Sequence, residues 1–298
     1  LINYLKHTEI DKTKWDNCIA NANNGLIYAY SWYLDIISPN WDALILDDYE
    51  AIMPLTHKRK YFISYLSQPF FTQQLGVFSK FESQAILVNE FLNSIPAKFK
   101  LIDINLNEDN STEGLKQRKN YVLPIDENYH SIFENYKSQA KRNLKKAKEN
   151  NLYFQALPYK NVIDYYIKFK GKETKGVKLK DYDSLKKLYK VCNKNNNLLS
   201  IGIYSKQYGL MACAAFLIYN ERVIFHLGTS NPKGKKIGAM HFLIDSIITQ
   251  LAGKNLFIDF EGSEIDGIER FYKSFGAFKK PYFKYKENNL PILLSWLK

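Results

Sequence analysis

The sequence predicts an α+β protein built from two copies of one sheet-and-helix unit. Three observations lead there. The length, 298 residues and 34.9 kDa, is about two ordinary domains. Hydrophobic residues make up 46% of the chain and charged residues 24%, the balance of a globular protein rather than a disordered one. Segments of strand and helix periodicity then follow one another in the same order twice.

The first copy opens with a strand from Ile2 to Leu5 and a helix from Asp11 to Ala22, with Asp11 placed to cap it. A second helix is read from Tyr28 to Ile37. Strands follow at Asp42 to Leu46, Ala51 to Leu55 and Lys60 to Leu66, the first two joined by a turn at Asp47-Asp48-Tyr49-Glu50. A helix from Glu82 to Asn93 stops before Pro96, and a strand runs from Lys100 to Asn105. The second copy begins with a strand at Leu152 to Leu157, then helices at Val162 to Lys170 and Tyr182 to Asn193. Strands at Leu199 to Tyr204, Leu210 to Tyr219 and Arg222 to Leu227, a helix at Ala239 to Ala252 and a strand at Leu256 to Phe260 complete it. Each copy reads strand, two helices, three antiparallel strands, helix, strand.

A long helix, Tyr129 to Asn150, stands between the copies. Ile132, Phe133, Tyr136, Ala140, Leu144 and Ala147 form its apolar stripe. The expected domains are residues 1–126 and 127–298, each a mixed, mostly antiparallel sheet flanked by helices, with the long helix at 129–150 opening the second. The last strand is free to return to the first domain.

Several classes are excluded. Cys18, Cys192 and Cys213 lie far apart with no CxxC pair, so neither a disulfide scaffold nor a zinc-ligand spacing is present, and no metal is expected. The apolar run Gly209 to Tyr219 is about 11 residues, against roughly 20 for a spanning helix. Lys6 and Glu9 interrupt any leader-like apolar region at the start. The chain starts at Leu1, which leaves room for a short preceding piece. A cytoplasmic protein is expected. No HExxH, GxSxG or phosphate-binding Walker loop occurs.

The net charge of +12, from 42 basic and 30 acidic residues, invites an anionic partner. Only Arg59, Arg118, Arg142, Arg222 and Arg270 are arginine, whereas phosphate and base-edge readers favour its bidentate fork. Solvated lysine faces account equally well for much of the excess, so local clusters matter more than the total. Arg142 and Lys146, with Lys141, Lys145 and Lys148, crowd the end of the long helix. There they complement the helix dipole or form a basic rail beside a phosphate. A second cluster, Asn231-Pro232-Lys233-Gly234-Lys235-Lys236-Ile237-Gly238, leads into the helix at Ala239. Glycine allows close backbone approach, the lysines supply charge, and a helix N-terminus attracts anions.

The order of elements resembles that of the GNAT acyltransferases. This resemblance implies two central strands that diverge, a gap between them for the arm of an acyl thioester, and a pyrophosphate at the N-terminus of the next helix. The usual GNAT phosphate loop is Gln/Arg-x-x-Gly-x-Gly/Ala. Here Lys235 and Met240 stand at its first and last positions and only Gly238 matches. A more specific resemblance lies in Asp259-Phe260-Glu261-Gly262-Ser263 and Gly267-Ile268-Glu269-Arg270-Phe271-Tyr272-Lys273-Ser274-Phe275-Gly276-Ala277. Lys141-Arg142-Asn143-Leu144-Lys145-Lys146-Ala147, and Ser31-Trp32-Tyr33 with Trp41, add to it. These pieces, in this order, are similar to the Fem family of doubled GNAT folds. The resemblance implies transfer of an acyl or aminoacyl group, from a thioester such as acyl-CoA or from aminoacyl-tRNA, to an amine of a peptidoglycan precursor. In the family's bridge-forming enzymes a lysine directly follows the Arg-Phe pair. Here Tyr272 takes that place and Lys273 comes one step, about 100° of helix, later.

Amide formation needs a neutral amine, aligned reactants and a stabilised oxyanion. Glu261, at a strand end, is the candidate base or acceptor binder; it equally suits the N-terminal dipole of the next helix. Tyr272 is the candidate donor to the oxyanion or leaving group, or else a core aromatic. Arg142, Lys146, Lys235, Lys236, Gly238 and Lys273 are the candidate phosphate- or substrate-binding residues. His226 reads as a satisfied core histidine, and His241 as core or as a neighbour of the cofactor gap. The aromatic run from Tyr61 to Phe78, with Gln68, Gln73, Gln74 and Gly76, reads either as strand and loop packing or as a wall of an interdomain cleft. The expected partner is an anionic or nucleotide-linked small molecule, with tRNA and an anionic membrane face as further partners. A non-catalytic nucleotide-sugar or nucleic-acid binding module on the same fold is the alternative.

Overall fold

The computed structural model describes residues 1–60, 62–81, 85–174, 176–262 and 264–290. The chain opens with β1 (Ile2–Leu5) and α1 (Lys12–Asn21), which Asp11 caps by accepting the Thr13 and Lys14 N–H groups at 3.0 and 3.1 Å. The expected helix from Tyr28 is divided. A 3-10 turn at Ile27–Ala29 is followed by an extended Tyr30, and only then by α2 (Ser31–Ile37). Asp16 makes this break. Its carboxylate accepts both the Ser31 N–H (2.7 Å) and hydroxyl (2.8 Å), so a new helix starts there.

Next come β2 (Trp41–Leu46), β3 (Ala51–Lys60), β4 (Ile63–Ser67) and the short β5 (Phe78–Ser79). β3 runs on to Lys60, where the sequence pattern alone ended it at Leu55. α3 (Ala85–Asn93), β6 (Phe99–Leu106) and β7 (Lys116–Arg118) follow; Glu82, the expected start of α3, lies outside the described residues.

β8 (Tyr121–Pro124) precedes two helices where one was expected: α4 (Tyr129–Glu134) and α5 (Ser138–Glu149). The apolar stripe is as read, with Ile132, Tyr136, Ala140, Leu144 and Ala147 all buried. The helix nevertheless breaks, because Lys137 is extended and its N–H donates to Ser274 O at 2.9 Å. The chain continues as β9 (Tyr153–Ala156), α6 (Tyr159–Phe169), α7 (Leu179–Lys194), β10 (Leu198–Ser205), β11 (Gly209–Tyr219) and β12 (Arg222–Ser230). The short α8 (Pro232–Lys236), α9 (Ala239–Leu251), β13 (Phe257–Asp259), α10 (Asp266–Lys273), β14 (Phe278–Lys279) and β15 (Tyr282–Asn288) complete it.

The chain divides into two compact units: Leu1–Arg118 with the chain from Pro281 onward, and Lys119–Lys280. In the first unit the sheet order is β1-β2-β3-β4-β6-β15-β7, with β5 on β3; in the second it is β9-β10-β11-β12-β13-β8-β14. The two orders correspond place by place. In each, three antiparallel pairings lead to a parallel pair, β4 with β6 and β12 with β13, bridged by a helix. A sixth strand then pairs antiparallel with the fifth. In the first unit that strand is β15, from the end of the chain; in the second it is β8. β7 and β8 are joined by two residues, and so are β14 and β15, yet neither pair forms a hairpin. Pro281 lacks an N–H and disfavours a helical turn at Lys280, so the chain stays extended there.

Each unit has its own core. Leu44, Met53, Leu66, Phe91 and Ile102 centre the first; Leu144, Phe216, Leu243, Ile258 and Phe275 centre the second. Truncating one such side chain to alanine costs about 2–5 kcal/mol. Among the described residues no helix is long and apolar enough to cross a membrane.

Candidate active site

The site begins with a strand that stops following its neighbour. β12 pairs with β11 as far as Ser230, but with β13 only over Arg222–Ile224. The β11 register explains the parting. Ala215 faces Leu227 and Phe216 faces Phe225, so His226 is an extra residue on β12. A bulge of this kind bends the strand and raises its twist. The His226 ring is buried, with Nδ1 2.8 Å from the Tyr189 hydroxyl, which anchors the bulge from behind.

Past the bulge a cavity of about 590 Å³ opens. Phe225, Gly228, Thr229 and Ser230 of β12 line one side. Phe169, Lys170 and Glu173 come from the end of α6 and the 3-10 turn after it. Lys235, Gly238, Met240 and His241 come from the entry to α9, and Ile265, Ile268, Phe271 and Tyr272 from the α10 region. The body of the cavity is therefore aromatic and aliphatic, and its polar groups gather at the α9 end.

Gly238 makes that end possible. It caps α9 at φ +77°, and a Cβ there would lie 2.4 Å from the Asn143 carbonyl oxygen of α5. No side chain caps α9, so its first-turn amides carry the partial positive charge of a helix start. Burial depresses the Lys170 ammonium, and the nearby Lys235 charge depresses it further, against the opposing pull of Glu173. Two ammonium groups thus share the cavity with one carboxylate, an imbalance that an incoming anion relieves. Burial also lowers His241 to about 4, so its imidazole is neutral at pH 7. Its Nε2 has no partner among the described residues, and its ring stands edge-on to Phe271 at 4.7 Å.

Tyr272 is 7% exposed and stacks on Phe260 at 4.7 Å and 20°. Burial raises its phenol, and the Glu261 and Asp259 carboxylates raise it further. It is therefore a hydrogen-bond donor at any physiological pH. Glu261 does not line the cavity, but lies close enough to act on Tyr272. Its backbone is left-handed, at φ +52°, with its N–H donating to Asp259 Oδ1 at 2.9 Å. Asp259 is itself fixed by a buried ion pair with Arg222. Next in sequence, Gly262 passes so close to Lys119 that a Cβ would sit 1.6 Å from its carbonyl oxygen. Ser263, the last residue of that motif, lies outside the described residues.

The remaining candidates are placed as follows. Lys235 and Gly238 line the cavity with Tyr272; Lys236 is exposed on α8 and does not. Arg142 and Lys146 are exposed on α5, outside the lining, although Asn143 beside them touches Gly238. Lys273 is engaged elsewhere. Its ammonium is 2.5 Å from Glu269, which also holds Lys119 at 2.6 Å, and lies over the Tyr121 ring. Lys119, Lys273 and Tyr121 together hold the Glu269 carboxyl down to about 2. This cluster fastens α10 to β8. Sequence reasoning missed Phe169, Lys170, Glu173, Thr229 and Ser230. The last two stand just before Asn231, which caps α8 by accepting the Gly234 N–H at 2.6 Å, with Pro232 at the first helical position. A strand running directly into an Asn-Pro helix start was the available signal.

No protein-family model and no curated protein sequence matches the chain. Solved structures do. The chain is similar to FemX, with a TM-score of 0.69 and 12% identity, covering 99% of both chains. It is similar to L-PGS from Bacillus licheniformis (TM-score 0.55, 10% identity, covering 96% of this chain and 95% of that one). It also resembles a tandem GNAT protein from the clavulanic acid biosynthesis pathway (TM-score 0.50, 8% identity, covering 98% and 99%). At these identities the likeness is one of fold. The fold is that of the tandem GNAT and Fem-type proteins.

Proposed function

We propose that the chain is an N-acyltransferase that accepts its donor in the second unit's cavity. The observation that carries this reading is the parting of β12 and β13 over a basic, glycine-capped helix start. An extended acyl arm has room between the strands, and its anionic carrier meets Lys235, Lys170 and the α9 amides. The donor is an acyl-CoA thioester or an aminoacyl-tRNA, and the acceptor an amine, in cell-envelope biosynthesis.

In the reaction the amine nitrogen attacks the donor carbonyl carbon. A C–N bond forms and the C–S or C–O bond breaks. The Tyr272 hydroxyl, in the cavity lining, donates to the oxyanion or leaving group, and Glu261, beside Tyr272 and outside that lining, takes the proton released by nitrogen where the bound amine comes within its reach. The apolar walls exclude water that would otherwise hydrolyse the donor.

The test is a thermal-shift screen with acyl-CoA thioesters and charged tRNA, followed by transfer assays on amine acceptors. A donor that binds the folded state raises the melting temperature, by mass action. The reading fails if neither donor class shifts the melt and neither supports transfer.

A further inference from the structure

The tip of the β3–β4 hairpin breaks two rules at once. The last residues of β3, Lys58, Arg59 and Lys60, are all exposed, so the hairpin runs past the core on both faces. Lys60 pairs with Ile63, leaving a two-residue connection in which Phe62 is left-handed at φ +65° and 92% exposed. Such a position suits asparagine or glycine, and a bulky side chain there is strained. An exposed phenylalanine gains nothing from the core either. Rule-breaking of this kind is expected where a residue serves something other than folding.

The surroundings are basic. Arg59 lies over the Phe62 ring and Lys58 over Phe70, and Lys58 shares a sheet face with Tyr65. Lys100, the extra residue where β4 meets β6, is exposed beside them. Lys58, Arg59 and Lys100 make no ion pair with the described residues, and the sequence carries no carboxylate side chain between Glu50 and Glu82.

We infer that this hairpin tip docks on an anionic lipid surface, with Phe62 entering the interface and Lys58, Arg59 and Lys60 on the headgroups. Apolar insertion flanked by basic residues is the usual chemistry of such contacts. A nucleic acid fits less well. The tip presents a projecting ring rather than a groove to track a backbone, and only one of its four cations is an arginine.

Vesicle co-sedimentation of the full chain, on phosphatidylcholine with and without 30% phosphatidylglycerol, tests this. The decisive variant is Phe62→Gly, which relieves the left-handed strain. It should melt at or above the parent temperature yet bind anionic vesicles about tenfold more weakly. K58Q/R59Q/K60Q should lose roughly 100-fold, at about fivefold per cation. In F62W, brominated lipid should quench the fluorescence added at that position. Vesicle binding by F62G equal to the parent overturns the inference. So does parental binding by the triple variant, or binding of tRNA and not vesicles that the triple variant abolishes.

Discussion

The two units share one strand order and differ where their central parallel strands meet. In the second unit, β12 leaves β13 after Ile224 and a cavity opens. In the first, the corresponding gap is filled by chain. β4 pairs with β6 through Ser67, and Gln68 N–H continues the line to Asp103 O at 3.1 Å. The Gln68 side chain accepts the Asn105 N–H at 2.9 Å, Asn105 donates to Gln73 O at 2.9 Å, and Leu75 bridges to Leu106. Gln74 accepts the Glu108 N–H at 3.1 Å. From Gln68 to Leu75 the run is thus hydrogen-bonded packing within the first unit, and Phe78 is fully buried, whereas Phe62 near its start is exposed. Two features account for the contrast: the extra residue His226 on β12, with no counterpart in the β3–β4 register, and glutamine side chains able to replace missing strand bonds. The same fold thus carries a sheet that is closed in one copy and open in the other.

Variants can break or sharpen that contrast. The largest effect is expected at the proposed chemistry. Glu261→Gln should lower kcat about 10²- to 10³-fold, while changing the unfolding free energy from chemical denaturation by less than about 1–2 kcal/mol. Full activity would remove Glu261 from the reaction and leave the gap without its base. Next comes Gly238→Ala, which forces a Cβ against Asn143 at a left-handed position. It should cost about 3 kcal/mol and abolish the donor-induced thermal shift; unaltered donor binding would show that the α9 start does not receive the donor.

The third is a pH effect. The half-buried His241 stays neutral in the folded state down to about 4, while the unfolded chain takes up a proton near 6.5. Above that range it has no effect. As pH falls from about 6.5 to 4 the unfolded state binds the extra proton, so stability drops by on the order of 3 kcal/mol. His241→Asn should flatten this slope in urea melts at pH 7, 5.5 and 4.5. An unchanged slope would assign the loss to other groups. Glu269, whose carboxyl is held low, loses its contribution only as pH falls through the ordinary carboxylate range toward 2, so the two windows are separable.

Lys235→Ala should weaken donor binding about tenfold, as loss of one phosphate contact does. Arg142→Ala, if the α5 cations reach the carrier, should weaken it similarly; no change would confine the anion site to the cavity lining. The smallest effect separates the units. Gln68→Ala should cost the first unit about 1 kcal/mol, the worth of a typical hydrogen bond, and the parent chain should bind one donor by calorimetry. Two donors bound per chain would show that the first gap is not closed in solution.

Much of this was legible in the chain itself. The repeated order of strands and helices, Asp11 as a cap, the turn at Asp47–Glu50 and the buried stripe of Tyr136, Ala140 and Leu144 all follow from local chemistry and apolar spacing. Local chemistry also singled out Lys235 and Gly238, and the Fem-like motif singled out Tyr272; the folded chain lines one cavity with all three. What the sequence could not supply were interactions between residues far apart along it. Asp16 starts α2 and Ser274 divides α4 from α5, because a distant acceptor outcompetes the continuing helix. Glu269 claims Lys273, which the resemblance to the Fem motif offers to a substrate. The sequence left the last strand free to return to the first domain, and β15 does so; its place beside β6, and the bulge at His226 that opens one gap while glutamines close the other, are decisions of strand register. Register depends on which partner strand is present, and only the folded chain brings the partners together.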